Sequence, residues 1–259
     1  MIGHLRACVR ILAIVVWTAA LYALRTVCLL LALVSRDAFW SIHSALMQTW
    51  ARGVGRCMGI RIRTEGRPPR APYLLVTNHL SYVDIVALQA ACGCVFLAKA
   101  EVSRWPVIGF LARTTGTLFV DRTRRRDLPR AVEAIESVVR RGRGVVFFPE
   151  GTSTEGREVL PFKPSLFEVA IRTGLPVYCA SLGYCIPGGT PPARLVVCWW
   201  GDMEFFPHLY ALLQIPSFEA RIAFCSDPIP REEQEGRKDL AESAHRTVES
   251  CFVPVTPPC

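Results

Sequence analysis

Lysine is nearly missing from this chain of 259 residues: of its 30 basic side chains, only Lys99, Lys163 and Lys238 are lysines. The rest are arginines, a skew that follows overall composition, so the formal charge of +8 is not read arginine by arginine as function. Histidine is also scarce, at five (His4, His43, His79, His208, His245), and no second histidine stands at ligand spacing, which argues against a zinc site. The cysteines form no C-x-x-C pair. Cys92-Gly-Cys94 has the wrong spacing for a zinc knuckle and no second pair. The 11 cysteines are odd in number, scattered, and several lie inside apolar runs, so they read as small buried hydrophobes in a reducing compartment rather than as a disulfide framework. Internal repeats and low-complexity linkers are absent as well.

What the chain has in quantity is apolar surface. Just over half of it, 51%, is hydrophobic, which is high for a freely soluble protein and directs attention to membrane-associated segments. Ile11 to Leu24 is almost wholly apolar, Arg25 interrupts, and Thr26 to Val34 is apolar again. As one helix this stretch could cross a bilayer, and Arg25 at the bilayer centre would cost about 3 kcal/mol, which some twenty apolar residues could offset. Arg6 and Arg10 before the segment and Arg36, Arg52 and Arg56 after it leave orientation undetermined. A second series, Phe39, Ile42, Leu46, Trp50 and Val54, recurs at helical spacing. Two arrangements fit: one true span, or a pair of helices dipping into one leaflet, and the second is preferred. In either case residues 1–58 are expected to anchor the remainder, 59–259, at a membrane. The basic balance then suits an anionic phospholipid surface rather than nucleic acid.

From residue 61 onward short apolar runs alternate with helix-like stretches, the pattern of an α/β fold. Strands are expected at 73–77, 95–99, 117–121, 144–148, 176–183, 194–200 and 220–225. Helices are expected at 128–141, where Leu128, Val132, Ile135 and Val139 share a face, at 164–173, between Pro164 and Gly174, and within 231–251.

Three of these strands end in polar clusters. In "TNHLSYVDIVAL", residues 77–88, His79 follows a buried-looking run and Asp84 stands five residues on. Ser81 and Asp84 fit a capping box, in which Asp84 closes a helix start and His79 is a turn residue. They equally fit a base and its orienting carboxylate: Asp84 would hold one imidazole nitrogen and leave the other to take a proton from a hydroxyl. "LFVDRTRRR", 118–126, supplies Arg122, whose guanidinium could pair with a phosphate. "VVFFPEGTSTEG", 145–156, supplies Glu150, Gly151, which lets a ligand come close to the backbone, and Thr152.

Taken in order these residues resemble a family. Asn78-His79-Leu-Ser-Tyr-Val-Asp84 matches the NHxxxxD motif of the glycerolipid acyltransferases, the 1-acylglycerol-3-phosphate acyltransferase type. Lys99, Pro106 and Gly109, then Gly116-Thr-Leu-Phe-Val-Asp-Arg122, Phe148-Pro-Glu-Gly-Thr152 and Leu175-Pro-Val-Tyr178 are similar to its further motifs. One departure is Pro164-Ser165 after Phe162-Lys163, where the family often has glycine. The resemblance implies a single mixed-sheet acyltransferase domain flanked by helices, with an N-terminal membrane segment. It implies transfer of a fatty acyl group from acyl-CoA or acyl carrier protein to 1-acyl-sn-glycerol-3-phosphate, with another lysolipid such as lyso-ornithine lipid as the alternative acceptor and a catalytically inactive, membrane-anchored lipid-binding protein as the alternative of another class. No cofactor and no metal are expected. By the same resemblance His79 and Asp84 are catalytic, and Lys99, Gly116, Arg122, Glu150, Gly151 and Thr152 bind substrate. Cytosolic acyl donors would put the catalytic domain on the cytoplasmic face of a bacterial inner membrane.

Overall fold

The computed structural model describes residues 1–29, 35–105, 108–120, 127–189, 191–230 and 236–255. The short apolar runs build a seven-stranded sheet: β1 (Ile60–Glu65), β2 (Leu74–Thr77), β3 (Val95–Lys99), β4 (Leu118–Val120), β5 (Val145–Phe147), β6 (Val177–Cys185) and β7 (Phe218–Phe224). Their order across the sheet is β1-β7-β6-β2-β5-β3-β4. Neighbours run parallel except β6 and β7, which pair antiparallel.

Successive side chains on a strand face opposite sides. Leu75, Val146, Phe148 and Leu182 therefore pack on one face with α3 (Val83–Cys92) and α8 (Phe205–Gln214). Leu74, Val76, Val145 and Phe147 pack on the other with α5 (Asp127–Arg140), α6 (Glu168–Thr173) and α9 (Arg237–Cys251). Helices on both faces explain why the central strands are apolar throughout rather than alternating. Two short helices, α4 (Ile108–Thr114) and α7 (Ala193–Val196), complete the domain.

The expected strand at 194–200 is not one. Both places beside β6 are taken, by β2 and β7, and the run forms α7 and then a buried loop in which Val197 and Cys198 are fully enclosed. A short apolar run carries no periodicity that separates a strand from such a segment. The strand missing from the sequence reading is β1, whose arginines alternate with Ile60 and Ile62 at the sheet edge. The cysteines are free thiols in nine cases among the described residues, but Cys185 is disulfide-bonded, against the expectation of thiols throughout.

The N-terminal pair consists of α1 (Ile2–Cys28) and α2 (Arg36–Met58). Among the described residues α1 is the one helix long and apolar enough to cross a membrane. It lies against the domain along its whole length. Arg6 donates to the carbonyl of Gln214 at 2.6 Å, and Arg10 to those of Leu213, Ile215 and Pro216 at 3.2, 2.7 and 2.7 Å, so both arginines meet the exposed carbonyls at the end of α8. Between α1 and α2 the Trp17 indole donates to the Trp50 carbonyl and the Trp50 indole donates to the Thr18 hydroxyl, and Tyr22 bonds Thr114 of α4. Arg25 is turned to the same inner side, toward His43 of α2. Outward, Leu5, Val9, Leu12, Val16, Leu24 and Val27 form a continuous exposed apolar stripe. Ala7, Val54 and Met58 belong to the same core as the sheet, so helices and sheet share one interior.

Close approach of α1 to α2 depends on Gly53, where an added Cβ would lie 2.1 Å from the Trp17 indole nitrogen. Gly53→Ala is expected to lower stability by about 1–3 kcal/mol by forcing Trp17 off its place on Trp50. A thermal melt of the detergent-purified variant checks this, and an unchanged midpoint would mean that the contact is not tight.

Candidate active site

In sheets of this kind ligands gather beyond the carboxyl ends of the parallel strands. The chain leaves β2 there through Asn78, whose amide oxygen accepts the Leu182 N–H at 2.7 Å while its NH2 donates to the Leu182 carbonyl at 2.9 Å. Asn78 thus continues the ladder between β2 and β6 by one side-chain step. The next residue, His79, is fixed through its own backbone: its N–H donates to Glu150 Oε1 at 2.8 Å, and its carbonyl accepts the Thr154 N–H at 2.9 Å. Its ring stacks on Phe148, with centroids 4.1 Å apart.

Asp84, in the first turn of α3, is completely buried. Its Oδ2 accepts from Leu80 N–H at 2.7 Å, from Ser81 N–H at 3.1 Å and from His79 Nδ1 at 2.7 Å, while Oδ1 accepts the Tyr184 hydroxyl at 2.5 Å. The geometry accommodates the capping reading and the catalytic reading together: one oxygen closes the helix start and holds the imidazole. A carboxylate ringed by three other donors must accept from His79 as well. The ring proton then sits on Nδ1, and Nε2 is left as the basic nitrogen. The His79 side chain is 23% exposed, enough for Nε2 to meet a substrate.

The remaining expected residues divide. Lys99 ends β3 on this edge of the sheet and is exposed. Thr152 is exposed beside the site. Gly151 has φ +80°, and an added Cβ would lie 2.8 Å from Lys163 Nζ, so the ammonium lies directly across the Gly151 backbone. Arg122 is outside the described residues. Gly116 is not brought here. It lies at the amino end of β4, the opposite edge of the sheet, where it faces Trp40 and His43. Its place in the sequence, just before the strand rather than after it, is the physical reason.

Glu150 is also placed differently from expectation. It is 2% exposed and turned inward to the His79 backbone, so it is placed to hold His79 rather than to meet a ligand. Burial raises its carboxyl to about 8, with the Asp84 charge adding to the rise, while the N–H groups of His79 and Leu160 pull it down. An unfolded glutamate ionises near 4.5. Between the two values the folded form keeps a proton that the unfolded form has lost, so this group's contribution to stability falls as pH rises through that window and is level above it. Glu150→Gln removes the titration and keeps an acceptor for the His79 N–H. The melting midpoint of the variant is expected to fall less than that of the wild type between pH 5 and pH 8, with most acyl transfer retained. Parallel midpoint curves for the two proteins would refute the assignment.

Sequence reasoning did not find Tyr184 or Lys163. Tyr184 lies 100 residues from Asp84 with nothing local to mark it, whereas Lys163 follows Phe162 shortly after the Phe148-Pro-Glu-Gly run and was legible as a cation at family-like spacing. Among the described residues no group of three or more His, Cys, Asp or Glu side chains comes together as a metal site would need.

A mixed α/β sheet thus carries at its carboxyl edge a buried carboxylate and a histidine with one open nitrogen, an arrangement suited to taking a proton from an external hydroxyl. Residues 59–183 match the family model described as Acyltransferase. Over 201 residues the chain is 37% identical to the lyso-ornithine lipid O-acyltransferase of Rhodobacter capsulatus, covering 74% of this chain and 70% of that protein. Over 202 residues it is 33% identical to the 1-acyl-sn-glycerol-3-phosphate acyltransferase of Neisseria meningitidis serogroup B, covering 76% and 78%. Its fold is like that of the crystal structure of the 1-acyl-sn-glycerophosphate (LPA) acyltransferase PlsC from Thermotoga maritima, with TM-score 0.61 over 93% of this chain and 97% of that one at 20% identity. The chain belongs to this family of lysolipid acyltransferases, and it is an enzyme that acylates a lysolipid.

Proposed function

We propose that the chain transfers a fatty acyl group from acyl-CoA or acyl carrier protein to 1-acyl-sn-glycerol-3-phosphate, giving phosphatidic acid. The reading is carried by the His79–Asp84 pair, 2.7 Å apart at the carboxyl edge of the sheet, with its outer nitrogen open. His79 Nε2 takes the proton of the acceptor hydroxyl as that oxygen attacks the thioester carbonyl. Asp84 holds the ring and stabilises the imidazolium. That attack forms the C–O bond of the ester; collapse of the tetrahedral intermediate then restores the carbonyl and breaks the C–S bond, and the imidazolium returns its proton to the departing sulfur. No acyl-enzyme forms, because the acceptor is itself the nucleophile.

A phosphate on the acceptor suits the rim. Two of the chain's three lysines, Lys99 and Lys163, stand there, and neither has an ion-pair partner among the described residues. A second reading is lyso-ornithine lipid as acceptor, favoured by the name of the Rhodobacter capsulatus relative and by the 36% identical relative of the same name from Brucella abortus.

The same proposal places the protein at a membrane surface, on the cytoplasmic face of a bacterial inner membrane, where acyl donors are available. The full-length docking of α1 and its inward arginines support burial of the apolar stripe in one leaflet rather than a crossing. The test is transfer by detergent-purified protein from labelled acyl-CoA and acyl carrier protein to each lysolipid in separate reactions. Phosphatidic acid as the main product is expected. Acylation of lyso-ornithine lipid alone would replace the first acceptor by the second, and acylation of neither would remove the reading.

A further inference from the structure

At the amino edge of the sheet, opposite His79, lies a recess of about 430 Å3 lined by Trp40, Ser41 and Ser44 of α2 and by Arg140, Arg141 and Arg143 at the end of α5. Its charge is unbalanced. Arg140 pairs with Glu136 at 3.2 Å, but Arg141 and Arg143 have no carboxylate partner among the described residues. Arg141 lies over the Trp40 ring, 5.0 Å from its centroid, which orients its guanidinium. Arg143 is half-buried and donates one Nη1 hydrogen bond to the Trp40 carbonyl at 3.0 Å, while its Nε is buried with no partner. A guanidinium withdrawn from water without a counter-charge is costly, and an arriving anion would offset that cost.

The surroundings carry the same excess. Buried His43, one turn along α2 from Trp40, has its ring 5.4 Å from the Trp40 ring. It is pushed down to about 4, first by burial and further by the charges of Arg25 and Arg143, and its Nδ1 is likewise buried without a partner. Arg25 sits near the end of α1, where the exposed Leu24, Val27 and Leu29 continue the apolar stripe. The recess is thus linked through Trp40, His43 and Arg25 to the part of the protein suited to contact lipid.

We propose that this recess binds the phosphate headgroup of an anionic phospholipid, held between Arg141, Arg143 and the Ser41 hydroxyl, at a site separate from the acceptor site. Guanidinium groups pair with phosphate oxygens two at a time, and a serine hydroxyl supplies a further donor. A headgroup docked there would seat the helix pair at a fixed depth on a negatively charged leaflet, in addition to the burial of the α1 stripe. The inference does not depend on which lysolipid is acylated.

Native mass spectrometry of the full chain in neutral detergent, titrated with dioleoyl phosphatidylglycerol, dioleoyl phosphatidylcholine or inorganic phosphate, tests it. The wild type is expected to bind phosphatidylglycerol about tenfold more tightly than Arg141→Gln or Arg143→Gln, as loss of one charge-assisted contact predicts. Phosphatidylcholine should not distinguish the proteins, and acyl transfer in neutral micelles should be unchanged in Arg141→Gln. If Arg143→Gln fails to fold, Arg141→Gln and Ser41→Ala, both on exposed residues, decide. Equal affinity for phosphatidylglycerol in wild type and variants overturns the proposal, and so does inorganic phosphate binding as tightly as the lipid.

Discussion

His79→Ala is expected to lower kcat for acyl transfer by about 10²–10⁴-fold, the range that a positioned general base contributes. The loss should fall on kcat and leave KM for the acyl donor nearly unchanged, because the imidazole acts on the reacting hydroxyl rather than on binding. The fold should survive. What ties residue 79 into the structure is its backbone, through Glu150 and Thr154, and alanine keeps both bonds. The side chain's main packing partner is the Phe148 ring, so only a small drop in melting midpoint should follow. A variant with intact fold and undiminished kcat would return His79 to the status of a turn residue.

Asp84→Ala should do more damage, to stability as well as rate. It strands the Leu80 and Ser81 N–H groups and the Tyr184 hydroxyl in a place with no access to water, and each unsatisfied buried donor costs about 1–3 kcal/mol. Activity should fall to that of His79→Ala, since nothing then selects the Nδ1–H tautomer. Asp84→Asn separates the two effects. Its amide oxygen can take the place of Oδ2 and accept from Leu80, Ser81 and His79, while its NH2 turns to the Tyr184 oxygen. Geometry and tautomer are then kept and only the negative charge is lost. The asparagine variant should fold nearly as well as wild type yet remain strongly impaired in kcat, because the imidazolium of the transition state lacks its counter-charge. Thermal melts beside steady-state kinetics read both quantities. If Asp84→Asn were as active as wild type, Asp84 would be a helix cap and nothing more.

How much of this was present in the sequence depends on the range over which each fact is decided. β3 matches its expected bounds to the residue, and β2 and β5 fall within theirs, because a buried strand is an apolar run bounded by turn residues. His79 and Asp84 were legible because they are five residues apart and one helix start brings them together. Tyr184 and the bond pair from Asn78 to Leu182 depend on β6 lying beside β2, a pairing no local pattern encodes. Glu150 was legible as a residue of the site but not as an inward one, since direction depends on the packing of the loop after β5 against His79. Arg25 looked like an interruption of an apolar span. In the fold it belongs, with Arg6 and Arg10, to the inward side of a helix docked along its length, a property of tertiary contact rather than of hydropathy.

The central claim is direct attack by a lysolipid hydroxyl on a thioester with His79 as base. Thiol release from acyl-CoA, followed with and without lysolipid and compared with ester formed, tests it most directly. The account predicts that release requires the lysolipid, equals the ester produced one for one, shows no initial burst, and is lost in His79→Ala. Release at the same rate without acceptor, or a burst that leaves labelled acyl chain on the protein, would contradict it.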